Sequence, residues 1–475
     1  MANAGWPDGS PGRPATGRVA PPEPARSPSV PHPRPPGATV YGGSGGGREP
    51  GATVYGGAPP GPPTPPGASR KRKRVRLVVL IAVVLVLAGL GSAAVLRVQR
   101  ALPAAKLTAT VASSLRIPGS ALSLPWPSTG SAELMIDGLG RLGGTNGAKS
   151  APIGSVAKVM TAYLVLKSHP LTAGQNGPEI TVTAADVADY QQRILTSQSL
   201  VPVTVGETMT ERDALEALLL PSANNVAHML AVWVGGSADA FIATMNQTAT
   251  ELGMTGTHYT DPSGFLPSTV STAADQVALA RAALKLPVFP DIVALHSARI
   301  PVAGTVPNYN YMLGVDGVFG IKTGSTTQAG GNLVFAAHLT VGGTTLTVVG
   351  AVFNQPGASS HTQLTAVNVV VRKLLAAVRT AVREYTILAA KPVGRVTTAW
   401  GQSVTVSPAA PLRVLGWPGL AVPVKVTQTA PGAQVTQGQV VGSVEARPGA
   451  ATTLVPLRAD APTDPPSFWW KLTHG

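Results

Sequence analysis

The chain has no cysteine among its 475 residues, which excludes disulfide frameworks and thiolate metal sites. That suits an exported protein that folds without oxidative help. It lacks His-Glu-x-x-His or any other metal-ligand spacing. Its eight histidines, including His228, His258, His296 and His338, read as structural or surface residues. The single Gly-x-Ser-x-Gly string, Gly42 to Gly46, lies in a glycine-rich run with no strand or helix pattern around it, and no Walker-type loop surrounds any lysine, which removes the commonest competing enzyme classes. Acidic residues are scarce, 22 against 36 Lys and Arg, for a net charge of +14. Such a charge invites a nucleic-acid reading, but residues 1–100 hold thirteen Lys/Arg and only three Asp/Glu. Basic charge gathered in a tail is not the patch of a folded nucleic-acid domain. No nucleic-acid partner is expected.

One long apolar run is present, Leu77 to Leu96, twenty residues without a charge. At 1.5 Å per residue it matches a bilayer core of about 30 Å. Arg70, Lys71, Arg72, Lys73, Arg74 and Arg76 flank its N-terminal side, whereas only Arg97 and Arg100 follow closely. The positive-inside rule then puts residues 1–76 in the cytoplasm and the rest outside, on a single uncleaved anchor. A cleaved signal ending at Ser92-Ala93-Ala94 is the alternative; about seventy residues ahead of the charged region are too many for that class.

Residues 1–69 hold eighteen prolines and fifteen glycines and bury too little to order themselves, so a disordered cytoplasmic tail is expected. It contains a repeat, Pro36 to Gly43 and Pro50 to Gly57. The repeat reads as a spacer, or as a phosphorylation-dependent docking site at Thr39, Tyr41, Thr53 and Tyr55; no partner is legible. Residues 70–97 form the basic flank and membrane helix, and 98–125 look like a stalk. A catalytic domain spans 126–385, helical over 155–285 and strand-rich over 318–353. Strands are expected at Asn332 to Ala337 and Thr344 to Phe353, joined by a turn at Val341-Gly342-Gly343. A helix from Leu364 to Val382 should pack on that sheet. Residues 386–475 read as a small all-β domain, against which Trp469 and Trp470 pack in preference to a membrane interface.

Only one serine in the chain has a lysine three residues later, Ser155 with Lys158. Three residues is nearly one helical turn, so both project from one face. A serine hydroxyl needs a base to become a nucleophile. Lys158 serves only when neutral, which burial, a positive helix end and a second cation at Lys322 would favour. Downstream comes Ser222-Ala223-Asn224, then Lys322-Thr323-Gly324-Ser325. Ser222 is placed to relay a proton and Asn224 to bind a substrate carbonyl, although both would also suit the N-cap of the next helix. Lys322 and Thr323 suit a carboxylate, and Gly324 a substrate backbone lying close along the strand. The backbone N–H groups of Ser155 and Ser325 would form an oxyanion hole.

In this order the three signatures resemble those of the D-alanyl-D-alanine carboxypeptidases among the low-molecular-mass penicillin-binding proteins. Leu252-Gly253-Met254, Thr257-His258-Tyr259, Pro262-Ser263-Gly264 and Gly314 to Gly317 extend the likeness, with Val318-Phe319-Gly320 as a small insertion. The resemblance covers about residues 126–385 and implies an α+β fold: a β-lactamase/transpeptidase-like α/β sandwich with a helical subdomain, followed by the β domain. It implies an acyl-enzyme on Ser155, stem peptides of peptidoglycan as substrate, β-lactams as inhibitors, and no cofactor or metal. Same-site rivals are a D,D-endopeptidase and a β-lactamase whose best-placed glutamate would be Glu251. A non-catalytic penicillin-binding wall protein is the rival from another class.

Overall fold

The computed structural model describes residues 68–474 apart from Ala430, with side chains from Lys73 onward. The tail through residue 67, including the repeat and its Thr and Tyr residues, lies outside the described residues. A 31-residue helix runs from Ala68 to Val98. Its Lys73–Val98 part has a mean hydropathy of 2.8 and is long and apolar enough to cross a membrane, and it contains the expected Leu77 to Leu96 run.

A five-stranded antiparallel sheet organises the catalytic region. Its order is Val318–Thr326, Gly330–Val341, Thr344–Gln355, Ser131–Ile136 and Gly140–Thr145. Side chains alternate across a strand, and the second strand, Gly330–Val341, uses both faces. Leu333, Phe335 and Ala337 join a core with Val367, Val371, Leu374 and Val378 of the helix Ser360–Ala381. Val334 and Ala336 face the opposite core, built largely from helices that include Lys158–Ser168 and Ala273–Ala283. The result is an α/β sandwich with a helical subdomain, the expected fold class.

The hairpin turn lies at Gly342-Gly343, both with positive φ (56° and 81°), between the paired residues Val341 and Thr344. Two successive positive φ values are what a two-residue turn needs to match strand twist. The inserted Phe319 is absorbed as an irregularity between Val318 and Gly320, without disturbing the register from Gly320 to Thr326.

Residues 98–125 do not form a stalk. Lys106–Ala109 and Ser114–Arg116 are the first and last strands of a seven-stranded sheet whose other members come from Gly394–Ala459. Ala105 and Ile117 are buried in that sheet's core, so these short apolar runs cover edges that would otherwise be open. The expected boundary at 385/386 likewise falls inside a strand, Arg383–Leu388, paired with Leu412–Gly416. Trp470 meets Trp400 edge-on at 5.8 Å, but Trp469 is 70% exposed, so only one of the two terminal tryptophans packs as expected.

Candidate active site

Ser155 sits in a 3₁₀ turn, Gly154–Ala157, that feeds the helix Lys158–Ser168. Val156, Ala157, Val159 and Met160 are fully buried and hold the turn against the helical core. Lys158 is buried with them, at 0% exposure. Its Nζ donates to Asn224 Oδ1 at 2.6 Å and to the Ser263 carbonyl at 3.0 Å, and lies 2.8 Å from Ser155 Oγ. Burial holds its pKa well below the ordinary lysine value, aided by Lys322 and Arg193 and opposed by Asp261. A neutral amine has two N–H groups. With the Asn224 and Ser263 carbonyl oxygens taking both, the neutral form would present its lone pair to Ser155 Oγ.

Ser222 and Asn224 lie where the helix Glu211–Leu219 gives way to Asn224–Gly235. Neither is an N-cap: Ala223 holds that position, with no side-chain cap. Ser222 has φ 69° and is 5% exposed, and its Oγ has no hydrogen-bond partner among the described residues. A buried hydroxyl without a partner costs stability, so its survival here points to a ligand or proton partner. Asn224 does not present its amide freely; it spans Lys158 and Gln198, donating from Nδ2 to Gln198 Oε1 at 2.8 Å.

Lys322, Thr323, Gly324 and Ser325 lie on the edge strand beside the Ser155 turn. Lys322 is 1% exposed, and burial lowers its pKa to about 7. Gly324 answers a different demand from the one expected. A Cβ there would sit 2.7 Å from the Ile153 carbonyl and 3.0 Å from Ser155 N, so its first role is to admit the nucleophile turn. Two cavities meet at Ser155. One, of about 230 Å³, is lined by Ser222, Thr323 and Ser325; the other, of about 440 Å³, by Asn224, Gln198 and Phe265.

A sequence profile of the D-alanyl-D-alanine carboxypeptidase family matches residues 141–356. The D-alanyl-D-alanine carboxypeptidase of Streptomyces sp. (strain K15) is 32% identical over 216 residues, 42% of this chain and 71% of that protein. The chain belongs to this family. It is also similar to D-alanyl-D-alanine carboxypeptidase DacB2 of Mycobacterium tuberculosis, 37% identical over 193 residues, 39% of this chain and 62% of that relative's length. A D-alanyl-D-alanine endopeptidase of Pseudomonas aeruginosa is 32% identical over 38% of this chain and 58% of its own. The crystal structure of penicillin binding protein 5 from Haemophilus influenzae shares the fold, with TM-score 0.50 and 21% identity over 72% of this chain and 99% of that one.

The structure also brings to the site residues outside the three signatures. Asp261 accepts from Ser263 Oγ, Ser263 N, Phe265 N and Thr269 Oγ1, and so shapes the loop that aims the Ser263 carbonyl at Lys158. Gly264 (φ 76°) in that loop must be small, because a Cβ would fall 1.9 Å from the Gly154 carbonyl. Arg193 Nη1 donates to Gln198 Oε1 at 3.1 Å while its Nε meets Asp189 at 2.5 Å. The Pro262-Ser263-Gly264 string was the sequence signal for the loop; Gln198 and Arg193 had none. Glu251 accepts from Gln247 on an exposed helix face and lines neither cavity at Ser155. His338 stacks on Phe319 at 4.3 Å.

Proposed function

We propose that the chain is a membrane-anchored serine D-Ala-D-Ala carboxypeptidase that trims the terminal D-Ala from peptidoglycan stem pentapeptides. The observation that carries this reading is the environment of buried Lys158, whose Nζ lies 2.8 Å from Ser155 Oγ and within hydrogen-bond distance of two carbonyl oxygens, so that its neutral form turns a lone pair toward Ser155. Ser155 Oγ attacks the D-Ala–D-Ala carbonyl carbon as its proton passes to Lys158 Nζ. The N–H groups of Ser155 and Ser325 receive the oxyanion. Lys158, through the unpartnered Ser222 hydroxyl, returns the proton to the leaving amine, and the C–N bond breaks. D-Ala departs, an ester remains on Ser155, and water, deprotonated by Lys158, releases the trimmed peptide. A β-lactam acylates the same hydroxyl.

The Lys73–Val98 helix with its basic N-terminal flank supports a single-pass anchor, tail inside and catalytic domain outside. Endopeptidase action on cross-linked peptides is the second reading, favoured by the relative of that name in Pseudomonas aeruginosa. The deciding experiment uses the full-length protein in detergent, with Ser155→Ala as control, and measures free D-Ala from a peptide ending in Lys-D-Ala-D-Ala and separated monomers from a cross-linked dimer. Preferential release from the linear peptide, lost in the variant, supports the carboxypeptidase. Preference for the dimer supports the endopeptidase.

A further inference from the structure

We infer that the larger cavity at Ser155 holds the side chain of the residue ahead of D-Ala-D-Ala, and selects stems in which that side chain ends in an uncharged amide instead of a free amine. The inference rests on the carboxypeptidase reading and names its substrate class.

That reading puts the terminal carboxylate toward Lys322 and Thr323, so the acyl arm of the substrate runs the other way along the edge strand. Thr323 lines the cavity of about 230 Å³, whereas Thr326, Thr327 and Gln328 line the one of about 440 Å³. An extended arm keeps step with a strand at about 3.3 Å per residue. With the scissile carbonyl at the Ser325 N–H, the preceding residue comes beside Thr326 and Thr327, and its side chain enters the larger cavity.

Phe265, Leu266 and Pro267 form one stretch of that cavity's lining. Phe265 and Leu266 are 37% and 44% exposed and join none of the three hydrophobic cores. Their loop is fixed all the same. Phe265 N donates to Asp261 at 2.9 Å, and Gly264 sits against the Gly154 carbonyl. A pinned apolar surface beside a nucleophile, rimmed by polar groups, suits an aliphatic chain. The rest of the lining is Ser, Thr, Gln and Asn, which offer donors and acceptors without charge.

An ammonium finds no counter-ion on this lining among the described residues. Asp261 is engaged by Ser263, Phe265 and Thr269 within its own loop, and Asp189 pairs with Arg193. The cations Lys322 and Arg193 both act on Lys158, so the field at the cleft opposes a further positive charge. An amine already acylated, as in a stem joined to another through that amine, fits both the apolar wall and the neutral rim. Trimming would then follow an acylation of that amine.

The test uses the full-length protein in detergent and two peptides ending in Lys-D-Ala-D-Ala, one with a free and one with an acetylated ε-amine. The expected kcat/KM is about tenfold higher for the acetylated peptide, because an ammonium against an apolar wall loses water without gaining a partner. Leu266→Glu and Gln328→Glu each place a carboxylate at an exposed position on the lining and should narrow that preference about two- to fivefold. Penicillin labelling of Ser155 verifies that each variant is folded. Equal kcat/KM for the two peptides, or a higher value for the free amine, overturns the inference and leaves the carboxypeptidase reading standing. A preference unchanged in both variants also overturns it, because the discrimination then lies outside this cavity. Wild type that cleaves neither peptide, although a penicillin still labels Ser155, overturns both.

Discussion

Gln198 Oε1 accepts a hydrogen bond from Asn224 Nδ2 at 2.8 Å, and this fixes which end of the Asn224 amide faces Lys158. With Nδ2 engaged, Oδ1 is turned to the lysine Nζ at 2.6 Å. Asn225 ties the same loop down through Val201, accepting from its N–H and donating to its carbonyl. The loop carrying Gln198 thus behaves as part of the site.

Removing that restraint should slow acylation without unfolding the protein. Gln198→Leu frees the Asn224 amide to rotate, and one hydrogen bond is worth about 0.5–1.5 kcal/mol, so roughly three- to tenfold in rate is expected. Stopped-flow acylation by a chromogenic β-lactam measures it. An unchanged rate would show that Gln198 has no part in aiming Asn224.

Lys158 sets the acid limb of the pH profile. Its pKa lies well below the ordinary lysine value, chiefly through burial, and the neutral form is the base, so kcat/KM falls as pH drops through that pKa. Asp261 acts in the opposite direction, raising it. Asp261→Asn therefore moves the acid limb to lower pH, and a limb that moves upward or stays put would contradict the assignment. Lys158→Arg, which cannot deprotonate, should lose about 10²–10⁴ in acylation rate.

Gly324→Ala places a methyl 3.0 Å from Ser155 N and 2.7 Å from the Ile153 carbonyl. Both contacts are with backbone, which cannot swing aside as a side chain would. We expect acylation to fall at least about a hundredfold, since small misplacements at the reacting atoms cost that much. The crystal structure of the variant should show the Ser155 turn pushed away from the edge strand.

Glu211 gives a stability signature separate from catalysis. It is fully buried, neither carboxyl oxygen has a hydrogen-bond partner among the described residues, and burial raises its pKa to about 7. A carboxyl whose folded pKa exceeds the unfolded value of about 4.3 favours folding below that value. Its contribution is lost as pH rises to about 7, because the folded state then gives up a proton it had retained. Glu211→Gln removes this dependence. Its stability relative to wild type should grow by about 3 kcal/mol between pH 4 and pH 8 in urea denaturation. Parallel curves for the two proteins would place the carboxyl in contact with water.

The sequence alone located the three signatures, because each is a short string whose spacing carries its meaning. Ser155 and Lys158 are one turn apart, and the strand pair that follows Lys322 is legible from β-branched runs joined at Gly342-Gly343. The same local logic gave the long apolar helix and the helix over the sheet, whereas the fold class came from the family resemblance. Only the tertiary structure decided what depends on residues distant in the chain. Asp261 precedes the legible Pro262-Ser263-Gly264 string, but only the fold shows that this loop supplies the Ser263 carbonyl to Lys158 from 105 residues away. Lys106–Ala109 is too short to announce itself and becomes a strand because Gly394–Thr397 pairs with it. Gly324 is small because Ser155 lies against it, and Gln198 matters because Asn224 lies across from it. Hydrophobic period and helical spacing are properties of a segment, whereas a shared hydrogen bond or an excluded Cβ belongs to two segments and exists only once they meet.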